Sequence, residues 1–150
     1  QEIDMLDVHS QPIAELEAVC DHKTIVEIQH ALNEVFCSPE MKEYIIDLIR
    51  KSRSHLDLVL GASPRAAISV LKASRAHALL EGRGYLTHED VQAVAMPVLA
   101  HRLIIRPESE MDGTTIETVV QQLIQSVPVL KESSAGSPVQ AQIIEPPRNP

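Results

Sequence analysis

The sequence predicts an all-α fold, a helical bundle of about four to five helices. Apolar residues recur at spacings of three and four in successive segments. The clearest are Met41, Tyr44, Ile45, Leu48 and Ile49, and later Ile116, Val119, Val120, Leu123, Ile124 and Val127. That period gathers them on one face of a helix. Start signals stand ahead of such segments: Ser38-Pro39-Glu40, Ser63-Pro64, and Thr87 with Glu89 and Asp90 behind it. Each pairs a capping side chain with a residue suited to the first helical turn. The only aromatic residues are Phe36, Tyr44 and Tyr85. The core is therefore aliphatic, and an apolar content of 44% in 150 residues is enough to build one.

Taken in order, residues 1–11 are mixed and acidic, with neither a cap nor a period. Pro12 to Val19 reads as a short turn or an extended leader. Asp21 is a candidate N-cap for the first helix, whose stripe would run Ile25, Ile28, Leu32, Val35 and Phe36. Ser38 caps the second, with Pro39 at its first position, where a missing N–H costs nothing. This helix should reach about Arg53. Ser54 to Leu60 alternates Leu56, Leu58 and Leu60, which permits a brief extended piece, but it reads best as a loop leading into Ser63.

The third helix, from Pro64 to about Glu81, is rich in alanine: Ala66, Ala67, Ala73, Ala76 and Ala78. Alanine favours the helix and lets neighbours approach. Gly82 and Gly84 can both take positive φ and so stop it. Thr87 opens a fourth helix to about Leu103, with negative charge in its first turn. Pro97 inside it should kink or divide it. His101 and Arg102 near its end suit the helix dipole. Arg106 to Gly113 reads as a linker. Thr114 or Thr115 then starts a fifth helix, which Pro128 ends. Residues 128–150 are rich in Pro, Ser and Gln and should be disordered.

The net charge of −8 argues against nucleic-acid binding, and so few aromatics leave little platform for stacking bases. The charge is uneven. Residues 42–106 carry ten basic and six acidic side chains, so a positive excess sits amid acidic flanks. Cys20 and Cys37, with no CxxC spacing, suggest reduced thiols in a cytoplasmic protein. No apolar run is long enough to span a membrane. The seven histidines show neither HxxxH nor HExxH spacing, and a metal site is not expected. No complete catalytic constellation is found. Glu89 and Asp90 are explained as first-turn charges rather than as an acid–base pair.

Arg65 breaks a rule. It is a cation in the first turn of a helix, where the dipole is already positive. It is either a solvated charge or half of an anion site. Free helix N–H groups and a guanidinium fork both suit phosphate oxygens. Spacing does not choose between these.

One string of residues carries a resemblance. Gly61-Ala62-Ser63-Pro64-Arg65-Ala66, then Ala76, then Gly82-Arg83-Gly84-Tyr85, then Glu89-Asp90-Val91, then Val98-Leu99-Ala100-His101-Arg102-Leu103 together resemble the C-terminal lid of MoxR-family AAA+ ATPases, over roughly residues 12–127. The resemblance implies that Arg65 is the sensor 2 arginine, which reaches the nucleotide phosphates from the lid, with Ser63 and Pro64 beside it. The chain departs from the family at Gly84, where Asp is more usual. Nothing in the sequence matches GxxxxGK[ST], and no apolar strand ends in Asp-Glu. The resemblance thus implies a lid detached from its nucleotide-binding core, with residues 1–11 as the exit from it. It further implies ATP with Mg in the full-length parent but none tightly bound to this chain. The implied partners are the AAA+ core, further copies in a ring, and von Willebrand factor A domain proteins, in chaperone-like remodelling of protein complexes. The alternative is a non-enzymatic helical interaction module with a histone-like fold.

Overall fold

In the computed structural model, which describes residues 18–129, helices begin at the expected start signals. The chain divides into two units, residues 1–30 and residues 31–150. In the first, Asp21 Oδ1 accepts a hydrogen bond from the Thr24 amide at 2.7 Å and opens helix α1, His22–Ala31. Hydrogen bonding from the Thr24 side chain and amide favours the charged carboxylate and lowers the Asp21 pKa. The stripe expected to continue through Leu32, Val35 and Phe36 is cut short, because the helix stops at Ala31. The Glu34 amide turns back to the Ala31 carbonyl at 3.0 Å, and Val35 joins the core of the second unit.

The second unit opens with Ser38. Its hydroxyl accepts from the Met41 amide at 3.2 Å, capping α2, Pro39–Arg53, over the expected range. Met41, Tyr44, Ile45, Leu48 and Ile49 are buried along one face, as their spacing predicts. After α2 the structure departs from the expected loop. Leu58–Leu60 forms strand β1, which precedes α3, Pro64–Leu80, and α4, His88–Leu99. The partner of β1 is β2, Ile104–Ile105, antiparallel and with an irregular register. The alternation of leucines therefore does build a strand. Its partner lies more than 40 residues further along the chain, out of reach of any local pattern.

Gly82 ends α3. Its φ is +72°, the Arg83 amide reaches the Ala78 carbonyl at 2.8 Å, and the Gly82 amide reaches Leu79 at 3.0 Å. These are the two bonds of a Schellman turn. Gly84 has no positive φ, so only Gly82 of the expected pair acts as a stop. Instead, the Gly84 carbonyl accepts from the Phe36 amide at 2.8 Å, and the Leu86 amide donates to the Phe36 carbonyl at 3.0 Å.

The fourth helix ends at Leu99, two residues after Pro97, and not at Leu103. The chain tightens into a 3-10 turn, Ala100–Arg102, before β2. The Arg102 guanidinium donates to the Val98 carbonyl, so this cation does cap the helix end. The expected linker contains a short helix α5, Pro107–Met111. Arg106 fixes it in place: its amide donates to the Asp57 carbonyl at 2.8 Å and its Nε to the Leu56 carbonyl at 2.7 Å. Thr115 then caps α6, Ile116–Ser126, by accepting from the Thr118 amide at 3.3 Å.

The most extensive helix contact is between α3 and α4, and α2 and α6 close the bundle around them. Leu48, Val70, Val91, Ala95, Leu99, Val119 and Val120 are fully buried at its centre. Both cysteines are free thiols. None of the helices among the described residues is long and apolar enough to cross a membrane. The tail expected to be disordered lies outside the described residues, apart from Pro128 and Val129, and so do residues 1–17.

Candidate functional site

The amino end of α3 differs from its counterparts in the same unit. At α2 and α6 a Ser or Thr hydroxyl accepts a first-turn amide, and Glu40 or Glu117 adds negative charge. At α4, Glu89 and Asp90 do the same electrostatic work. At α3, Ser63 has the extended backbone of an N-cap, φ −79° and ψ 162°, but its hydroxyl makes no capping bond. No acid stands in the first turn. The positive end of the helix is left uncompensated, and Arg65 adds a full charge to it.

Ser63, Pro64 and Arg65 are all exposed. Among the described residues no carboxylate or carbonyl partners the Arg65 guanidinium. The structure thus brings together the three residues singled out in the sequence. It leaves an unspent hydroxyl, a helix terminus and a guanidinium exposed at neighbouring positions of the chain. Such groups can accept an anion of phosphate type.

The loop before it is held tightly. Ala62 is fully buried, and its amide donates to Ser52 Oγ at 2.8 Å. Ser52, fully buried in the last turn of α2, donates its own proton to the Ile49 carbonyl at 2.7 Å. The other end of α3 is held by charge. Asp90 is fully buried and receives Arg83 Nη1 and Nη2, each at 2.6 Å, in a bidentate pair. His77 Nδ1 lies 2.7 Å from the same carboxylate, and the Thr87 amide and hydroxyl donate to it at 2.8 and 3.0 Å. Burial alone would raise the Asp90 pKa, but the bonds from Arg83, Thr87 and His77 outweigh it and hold the carboxyl well below the usual carboxylate range.

Sequence reasoning placed Asp90 in a first turn and missed this cluster. The Thr87-x-x-Asp90 spacing of a capping box was the available signal. The role of Ser52 left no signal, because Ala62 is ten residues away. Arg75 in α3 is half-buried, with its Nε unpartnered among the described residues.

The family described as the AAA lid domain matches residues 50–123. The chain is 34% identical over 137 residues to a Bacillus subtilis protein designated YeaC, covering 90% of this chain and 43% of that protein. It is 28% identical over 112 residues to Chaperone MoxR1 of Mycobacterium tuberculosis, covering 69% of this chain and 30% of the relative. A solved structure of a candidate ATPase from Cytophaga hutchinsonii superposes with a TM-score of 0.75 at 26% identity, over 87% of this chain and 43% of the other. The chain therefore spans less than half the length of each of these proteins. The matched segment begins in α2 and ends in α6, and it contains the amino end of α3, the Ser52 anchor and the Asp90 cluster. The chain belongs to the AAA lid domain family, in its MoxR-like branch.

Proposed function

We propose that this chain is the sensor 2 portion of a MoxR-type AAA+ ATPase, with Arg65 reading the terminal phosphate of a nucleotide held by a core domain of the same polypeptide. The lid would extend over residues 12–127, with residues 1–11 leading from that core. The observation that carries the reading is the amino end of α3: an exposed Arg65, an unspent Ser63 hydroxyl and no acidic residue in the first turn. In a lid of this family, that surface faces an anion rather than an internal carboxylate. ATP with Mg supplies the phosphoryl group to be transferred. In this reading the metal belongs to the core, and this chain contributes charge and orientation from Arg65, with Ser63 and Pro64 beside it.

Chaperone-like remodelling of protein complexes is the accompanying role, supported by the name of the MoxR1 relative. Assembly as a homo-oligomeric ring, a cytoplasmic setting and partners with von Willebrand factor A domains complete the proposal. The test is ATP hydrolysis and nucleotide binding by the polypeptide extended upstream through the core, with Arg65 intact and as Arg65→Ala. We expect kcat to fall about 10²-fold, the scale for one lost donor to a developing charge, with the helical content unchanged. Unchanged hydrolysis would return Arg65 to the role of a solvated charge.

A further inference from the structure

Why a serine is buried at position 52 is not explained by the core. The position is fully buried, and an alanine would fill nearly the same space. Yet its hydroxyl is fully used: the proton goes to Ile49 and an oxygen lone pair receives the Ala62 amide. The chain leaving β1 also passes very close to α2. A Cβ placed on Gly61 would lie 2.4 Å from the Ser52 carbonyl oxygen and 2.6 Å from both Cα and N of Arg53. All three are backbone atoms, which cannot swing aside, so only glycine permits this approach.

Three residues after Ala62 comes Arg65. Between them stand Ser63 and Pro64, and Pro64 has a fixed φ. The Ser63 hydroxyl does not cap the helix, so it does not aim it. The residues that lead into α3 are held instead by the end of α2.

We infer that Ser52 and Gly61 are positioning residues for Arg65, holding its helix terminus in register for an anionic ligand. This rests on the reading of Arg65 as a phosphate sensor. Neither residue touches the ligand; both act through the Ala62–Arg65 segment.

The test measures steady-state ATP hydrolysis by the polypeptide with its nucleotide-binding core, comparing Ser52→Ala, Ser52→Thr, Arg65→Ala and the double variant Ser52→Ala/Arg65→Ala. Ser52→Ala should lower kcat by about tenfold or more, since a misplacement of about 1 Å can cost as much as 10²-fold. Ser52→Thr, which keeps the hydroxyl, should recover most of the loss. In the Arg65→Ala background, Ser52→Ala should cost nothing further, because the group it positions is gone. Should Ser52→Ala fail to fold, Ser52→Cys keeps the shape with a weaker bond and is read by the same comparison.

Wild-type kcat in the folded Ser52 variant would overturn the inference. So would losses that multiply in the double variant. If Arg65→Ala itself leaves hydrolysis unchanged, the sensor reading fails first and the positioning role fails with it. If Arg65→Ala is impaired and Ser52→Ala is not, only the positioning role is lost.

Discussion

Replacing Asp90 with alanine removes the buried carboxylate on which Arg83, His77 and Thr87 converge. Its cost can be worked from the geometry. Arg83 loses two short bonds, and a hydrogen bond to a charged group contributes about 1.5–3 kcal/mol. The Arg83 side chain is 26% exposed, so water recovers part of this, and the low end applies, about 3 kcal/mol for the pair. The Thr87 amide loses its acceptor at the start of α4, for about 1 kcal/mol more. The expected destabilisation is about 4 kcal/mol. That lies in the range of about 3–5 kcal/mol for breaking a buried ion pair. For a folded unit of this size it should lower Tm by about 15 °C or more. Thermal and guanidinium unfolding followed by circular dichroism would measure it. A loss below about 1 kcal/mol would refute the claim that this carboxylate holds the α3–α4 turn together.

The same carboxylate predicts a pH dependence. In the unfolded chain Asp90 titrates near 3.8, and in the fold it stays ionised below that. Between those values the unfolded state binds the extra proton, so stability rises with pH. The contribution of Asp90 is fully present above about pH 3.8 and declines as pH falls toward the folded value. Asp90→Asn should flatten that part of the curve, as measured by unfolding at a series of pH values.

Two further substitutions test other parts of the fold. Gly82→Ala puts a side chain at φ +72° with open space around it, so the cost is conformational only, about 1–2 kcal/mol, read from the denaturant midpoint. Leu48→Ala empties a fully buried site at the centre of α2 and should cost about 2–5 kcal/mol in the same assay, with the denaturant slope unchanged.

The parts of this fold that were legible are those whose cause lies within one helical turn. Ser38-Pro39 and Ser63-Pro64 marked their helix starts to the residue: a proline at the first position fixes φ in both, and Ser38 adds a bond to an amide three residues on. The aliphatic stripe of α2 named its own buried face. What escaped has its cause at a distance. Leu58–Leu60 is a strand because Ile104 and Ile105 lie beside it, and α5 is held by Arg106 reaching back to Leu56 and Asp57. The first stripe was overextended for the same reason: Val35 fits the helical period of α1 but is claimed by the core of another unit. At the candidate site, the exposed Arg65 could be found from the sequence, whereas Ser52, which underlies it, could not.

The helix that carries Arg65 is anchored at both ends, by the α2 contact at one and by the Asp90 cluster at the other. Its 17 residues make a rod about 25 Å long. Clamped in this way it has little freedom to bend, and a disturbance at one end is delivered to the other as leverage. A tilt of about 5° about the Gly61 contact moves the Gly82 end by about 2 Å, given a rise of 1.5 Å per residue. In the role proposed for Arg65, a movement of its helix terminus would reach the α3–α4 turn, where Arg83, Tyr85 and the bridge from Tyr85 to Phe36 all sit.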